Sequence, residues 1–255
     1  MAIVFQKTNP YTTPQTYQLK REDFFAMIDP FILSGNIVDV DRQEIYAGCL
    51  HIAGGRIRKI ERCHISDTHY ILPAFVNAFL QLGNNSPFDF ANEAVKSGTL
   101  AALVVQPFEL DFKFFFNVNA IIPENAPIQA IDICDAEEQI SLGRKIIINE
   151  TTFNTLYPLI NQYPHSVMLA INECQKAKAE HKMLLDLFKI GLDKGLNFYN
   201  LLNAFSINSI NHYNLPIGLL RENDFADCFI VDNLQKLTVL QSYIDGIRLF
   251  DNDCE

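Results

Sequence analysis

The sequence predicts an α/β protein in which a domain of alternating strands and helices is set inside a β-sandwich whose two halves come from the chain ends. Three observations carry this. Short Ile- and Val-rich runs broken by turns occupy residues 36–60, compact apolar runs alternate with segments of helical period through residues 70–215, and the short-run pattern returns after Pro216. No internal repeat and no low-complexity linker interrupts this order.

Each element has its own signal. Residues 1–33 read as an arm with one short helix, with Pro10, Pro14 and Pro30 around one amphipathic patch at 19–28 whose Phe24, Phe25 and Ile28 fall at near-helical spacing. Residues 36–40, 47–52 and 56–60 read as antiparallel strands, and Gly54-Gly55 can take the positive φ of a tight hairpin. Apolar runs at 71–76, 100–105, 114–122, 128–133, 145–148 and 166–171 have no polar face, which suits six parallel strands covered by helices. Helices are expected at 87–97, 136–142, 151–162, 176–194 and 197–205. Strands at 228–231, 237–243 and 247–250 follow, the last two joined by an Asp245-Gly246 turn.

Composition narrows the function. With 255 residues, 49% hydrophobic and 20% charged, the chain can bury a large core. A formal charge of −10 repels phosphate backbones and anionic lipid, so neither nucleic acid nor a membrane is an expected partner. The apolar start at residues 1–5 meets Lys7 and Asn9-Pro10 too soon for a signal peptide, and no apolar run has the length of a membrane span, so a cytoplasmic location is expected. Cys49, Cys63, Cys134, Cys174, Cys228 and Cys254 form no CxxC pair and are expected to be reduced.

Ser34-Gly-Asn-Ile-Val-Asp-Val40, with Gly55-Arg-Ile57, is the first of several ordered motifs over residues 34–250 that resemble the adenine deaminases of the amidohydrolase superfamily, and it is similar to the opening sandwich of that family. Tyr70-Ile-Leu-Pro-Ala-Phe-Val-Asn-Ala-Phe-Leu-Gln81 resembles its first barrel strand, "LVPGFIDAHVH", whose two metal-binding histidines correspond to Phe79 and Gln81. Ser97-Gly-Thr-Leu-Ala-Ala-Leu-Val-Val-Gln-Pro-Phe-Glu109 is similar to "HGTTTVVADPHE", with Phe108 at the histidine and Glu109 retained. Residues 130–138 resemble the later "DHE" segment, with Ile131 and Asp132 at its His-Glu, and the resemblance implies that two βα units of the family are missing near 123–127. Glu150 is retained after Asn149 in the next strand, and Ser166-Val-Met-Leu-Ala-Ile-Asn-Glu173 is similar to "VMLCTDD". Asn172 stands at the aspartate that moves the proton of the attacking water in the family, and an amide cannot accept it. Ala226-Asp-Cys-Phe-Ile-Val-Asp232 and Ile244-Asp-Gly-Ile247 resemble the family's sandwich return and closing turn.

The resemblance implies a reduced, about six-stranded TIM-barrel-like metallo-dependent-hydrolase domain at 74–215, a composite β-sandwich from 34–73 and 216–255, and an arm at 1–33. It also implies loss of the metal. A phenyl ring has no lone pair for Zn, Fe or Mn and an amide oxygen is a weak neutral ligand, so Phe79, Gln81, Phe108 and Asn172 cannot replace the family's ligands, and no cofactor is expected. The six histidines form no HxH or HExxH pair and read as surface or sandwich residues. Gln81, Glu109, Asp132, Glu150, Asn172 and Glu173 are expected at the strand C-termini, where such folds bind ligands. Glu109 and Glu150 also read as relics, solvated or paired with Lys113 or Arg144, and Phe112, Phe114, Phe115 and Phe116 read as core.

Three functions follow as expectations. The first is a catalytically degenerate protein that binds a small polar ligand or assembles, as a homo-oligomer or otherwise. The second is a hydrolase acting on non-peptide C–N bonds of cyclic amides or amino-purines, with Glu109 or Glu173 as base. The third is a scaffold paired with an active deaminase subunit.

Overall fold

The computed structural model describes residues 3–5, 17–19, 29–66, 68–80, 87–104, 117–120, 128–171 and 183–252. In the arm, β1 (Ile3–Phe5) pairs antiparallel with β2 (Tyr17–Leu19), so Leu19 is in a strand and not in the expected helix, whose other residues lie outside the described ones.

Strands from both ends of the chain join one seven-stranded sheet. They are β3 (Phe31–Asp39), β4 (Glu44–Ala53), β5 (Arg56–Arg62), β6 (Tyr70–Pro73), β13 (Cys228–Val231), β14 (Val239–Ile244) and β15 (Ile247–Asp251), in the order β15-β14-β13-β6-β3-β4-β5. β3 begins at Phe31, three residues inside the expected arm. The expected Gly54-Gly55 hairpin is present, with φ of 59° and 73°. Side chains alternate across this sheet and serve two cores. Leu33, Ile37, Ile71, Cys228 and Ile230 enter a small cluster with Leu50, Ile52 and Ile57, while Val38, Leu72, Phe229 and Val231 enter the main core. Asp227 clasps the return: its Oδ2 accepts from Gly218 N at 2.9 Å and its Oδ1 from Asp245 N at 2.8 Å.

Six parallel strands form two three-stranded sheets, β7-β8-β9 and β10-β11-β12. These are β7 (Phe75–Leu80), β8 (Thr99–Val104), β9 (Asn117–Ala120), β10 (Ile128–Gln129), β11 (Ile146–Asn149) and β12 (Val167–Ala170). The single run expected at 71–76 is therefore two strands in different sheets, broken at Ala74, whose N–H donates to Asp227 O at 3.3 Å as the chain crosses from one sheet to the other. The run expected at 128–133 is a strand for two residues only, because Ile133 already opens a helix.

The helices are α1 (Pro87–Lys96), α2 (Ile133–Ser141), α3 (Phe153–Leu156), α4 (Pro158–Gln162), α5 (Leu184–Asp193), α6 (Phe198–Leu202) and α7 (Asn208–Tyr213). The helix expected over 151–162 is two, because Pro158 has no N–H to continue α3 and starts α4 instead. The segment expected at 197–205 continues to Tyr213 through a π-helical turn, Asn203–Ile207. That extra residue per turn aims two polar side chains at strand starts. Ser206 Oγ donates to Ala74 O at 2.7 Å, and Asn208 Nδ2 donates to Val167 O at 2.7 Å.

An aromatic cluster locks the two layers. The Phe75 ring lies 5.0, 5.5 and 4.9 Å from those of Phe188, Phe205 and Phe229, which joins β7, α5, the π turn and β13. Gly98, between α1 and β8, has φ of +73°, and a Cβ there would stand 2.7 Å from the Phe229 ring. Only glycine allows that approach.

Candidate functional site

The C-terminal ends of the parallel strands are opposite the end fastened by Ser206 and Asn208. At this rim the two three-stranded sheets meet, with β12 beside β7. No backbone ladder joins them among the described residues. A side chain does. Asn77, 1% exposed, donates from Nδ2 to Ile171 O at 3.0 Å and accepts at Oδ1 from Ile171 N at 3.2 Å and from Phe79 N at 3.3 Å. A carboxamide carries the same donor and acceptor as a peptide group, so Asn77 takes the place of one rung of β-ladder.

Two residues further along β7, Phe79 is 8% exposed and belongs to the main core. The whole strand is buried, so alternation gives it no polar face. At the end of β11, Asn149 Oδ1 accepts from Thr151 N at 3.0 Å, Thr152 N at 3.0 Å and Thr151 Oγ1 at 2.7 Å, which turns the chain into α3. Its Nδ2 donates to Gln129 Oε1 on β10 at 3.2 Å. Glu150 follows, half-buried in that turn.

Asp132 stands at the N-cap of α2, where its Oδ1 accepts from Asp135 N at 2.9 Å. Asp135 returns the contact by accepting from Ile131 N at 3.1 Å. Asp132 is exposed and Ile131 beside it is 80% exposed. Arg144 donates to Gln139 Oε1 at 2.8 Å. Of the expected rim residues, Gln81, Glu109, Asn172 and Glu173 lie outside the described residues, as do Phe108, Lys113 and the Phe112, Phe114, Phe115 and Phe116 group.

The described histidines lie away from this rim. His51 faces Glu61 at 3.3 Å on the seven-stranded sheet, His69 Nε2 contacts Ser34 O at 2.6 Å, and His64 and His165 are exposed. His212 in α7 stacks edge-on against Tyr213, and burial, with Lys145 nearby, holds its pKa below the ordinary histidine value. Among the described residues no group of three His, Cys, Asp or Glu side chains is arranged to hold a metal ion. The donor set at Phe79 and Asn77 does not fit a transition metal, since one side chain has no lone pair and the other spends its amide on Ile171. The described rim thus offers amides that exchange hydrogen bonds, with Asp132 and Glu150 as carboxylates. Sequence reasoning passed over Asn77 and Gln129. The signal for Asn77 was there: one amide inside the apolar run 71–80.

No family model matches the chain. Among curated proteins, it is 42% identical to the adenine deaminase of Methanosarcina mazei over 123 residues, 46% of this chain and 22% of that one. It is 22% identical to the adenine deaminase of Borreliella burgdorferi over 333 residues, 88% of this chain and 61% of that one. The chain therefore matches less than two thirds of either relative's length. Among solved structures, a β-aspartyl dipeptidase from Fervidobacterium islandicum superposes with a TM-score of 0.62 at 9% identity, covering 86% of this chain and 97% of that one. An enamidase described as a member of the amidohydrolase superfamily gives 0.61 at 10% identity, covering 88% and 96%. In class, then, this is an α/β chain with the fold of amidohydrolase-superfamily proteins. Its homologues in sequence are adenine deaminases. Among the described residues no helix is long and apolar enough to cross a membrane.

Proposed function

We propose that this chain is a catalytically degenerate, adenine deaminase-like protein that binds a small polar ligand at the strand rim or assembles with another protein, and holds no metal. The observation that carries the reading is Phe79. It is a buried phenyl group at the position matching the family's first metal-binding histidine, in a strand whose nearest polar side chain, Asn77, is committed to Ile171. The 333 matched residues of the Borreliella enzyme exceed the 255 of this chain, so that relative carries material inside the matched span that is missing here. This supports the reduction of the barrel at 74–215, within a composite sandwich of 34–73 and 216–255 and behind an arm at 1–33. Gln81, Glu109, Asp132, Glu150, Asn172 and Glu173 would form the binding rim.

The 42% identity to adenine deaminases favours a second reading, a retained C–N hydrolase with Glu109 or Glu173 as base. One experiment separates the two: metal analysis of purified protein together with adenine turnover in the presence of Mn or Zn. The first reading expects substoichiometric metal, no turnover, and a thermal shift with adenine or co-purification with an intact deaminase. Near-stoichiometric Zn, Fe or Mn with multiple turnovers overturns it. Restoring Phe79→His, Gln81→His, Phe108→His and Asn172→Asp together should give at most weak metal binding, since misplacement by about an ångström already costs on the order of 100-fold in rate.

A further inference from the structure

Cys49 in β4 and Cys63, the residue after β5, meet on one side of the seven-stranded sheet. The ladder pairs Cys49 with Glu61 and Gly48 with Arg62, and Cys63 N donates to Ala47 O at 3.3 Å. Alternation therefore turns Cys49, Glu61 and Cys63 to the same side, with the two cysteines diagonal to one another. Diagonal ladder positions are usually at the limit of disulfide reach. Here the two thiols are immediate neighbours, and Cys63 is the first residue after β5. Both are free and half-buried, whereas Cys228 is sealed in the core and Cys134 stands exposed on α2.

We propose that Cys49 and Cys63 form a reversible disulfide, with a low-molecular-weight disulfide as oxidant, which latches the segment leaving β5 onto β4. The Cys63 thiolate attacks one sulfur of the oxidant, whose S–S bond breaks and releases one thiol. Cys49 then gives its proton to solvent and attacks the Cys63 sulfur of the mixed disulfide, releasing the second thiol. The protein loses two hydrogens and two electrons, and one oxidant disulfide becomes two thiols. That order of attack agrees with the Cys49 thiol being held protonated more firmly than usual, first by its Cys63 neighbour and then by burial. The cross-link would close residues 49–63 into a loop and fix the entry to the linker that carries His69 onto Ser34.

The test is a titration of the full chain with glutathione disulfide, followed by non-reducing peptide mapping and melting curves. The expected product is a single intramolecular 49–63 cross-link, reversed by dithiothreitol, with the melting temperature raised by roughly 5 °C on oxidation. In Cys49→Ser, a glutathione adduct should accumulate on Cys63 because nothing resolves it, while in Cys63→Ser residue 49 should stay unmodified. Mapping of the wild-type chain decides the matter even if a variant fails to fold. Both thiols remaining free while Cys134 reacts, a persistent adduct on wild-type Cys63, or cross-links only between chains would each overturn the proposal.

Discussion

Replacing Asn77 by aspartate exchanges one heavy atom, the amide nitrogen for an oxygen, and should be felt where the two three-stranded sheets meet. The variant keeps the acceptor that serves Ile171 N and Phe79 N but turns the donor facing Ile171 O, 3.0 Å away, into an oxygen. At neutral pH an ionised carboxylate would be held in a site 1% exposed, against a carbonyl oxygen. Loss of the bond and burial of the charge together should cost about 2–4 kcal/mol. For a chain of this size that is a fall of roughly 5–15 °C in melting temperature. The protonated carboxyl, by contrast, can donate to Ile171 O and restore the rung. Its folded pKa is thus raised above the unfolded value of about 3.9, so the restored stability is fully present below that value and is lost as pH rises through the folded pKa, at about 1.4 kcal/mol for each unit of separation. Urea denaturation of both proteins at mildly acidic and neutral pH reads this directly. A variant as stable as wild type at neutral pH, or a deficit that does not shrink on acidification, would refute the claim that Asn77 substitutes for a rung of ladder.

Three further outcomes are expected. Asn149→Ala removes the acceptor that turns β11 into α3 and should lower stability by about 1–2 kcal/mol in denaturant titrations. Arg221 meets Asp41 with two contacts of 2.6 Å and holds its carboxyl below the usual range, so the pair contributes at neutral pH and its contribution is lost as pH falls through that lowered pKa. Both side chains are about half exposed, and Arg221→Ala should cost only about 0.5 kcal/mol, less in high salt, by the same titrations. Gly98→Ala meets both a positive φ and the Phe229 ring, and calorimetry should show a loss of about 2–3 kcal/mol.

Where side-chain pattern and backbone geometry agree, the fold is legible from residues alone. The apolar runs around Leu103, Ile147 and Leu169 have no polar face and are buried parallel strands, and Gly54-Gly55 makes the expected hairpin. The break at Ala74 is invisible in the pattern because it separates two equally apolar strands. It exists because the chain there leaves one sheet for another. The π turn escapes for a similar reason, since one added residue shifts the helical period too little to show among Ala204, Phe205 and Ile207. At the rim, residue type alone pointed to Phe79 as lacking a metal's lone pairs. It did not separate Asp132 as a helix cap from Asp132 as a ligand contact, because both uses present the same carboxylate to a donor.

The shared sheet also sets a timetable. Strands β3, β4 and β5 pair with near neighbours in sequence and can form a meander as soon as they are made, but Ile71 and Cys228, which join the same small core as Ile37 and Ile52, are separated by most of the chain. At typical synthesis rates of about 5–20 residues per second, the early meander waits on the order of ten seconds for the strands that complete its sheet. Until then Leu33, Ile37, Leu50, Ile52 and Ile57, joined early by Ile71, lack the later members of their cluster, Leu220, Ala226, Cys228, Ile230 and Tyr243, so part of an apolar face stays open to misassociation until the last strands are made.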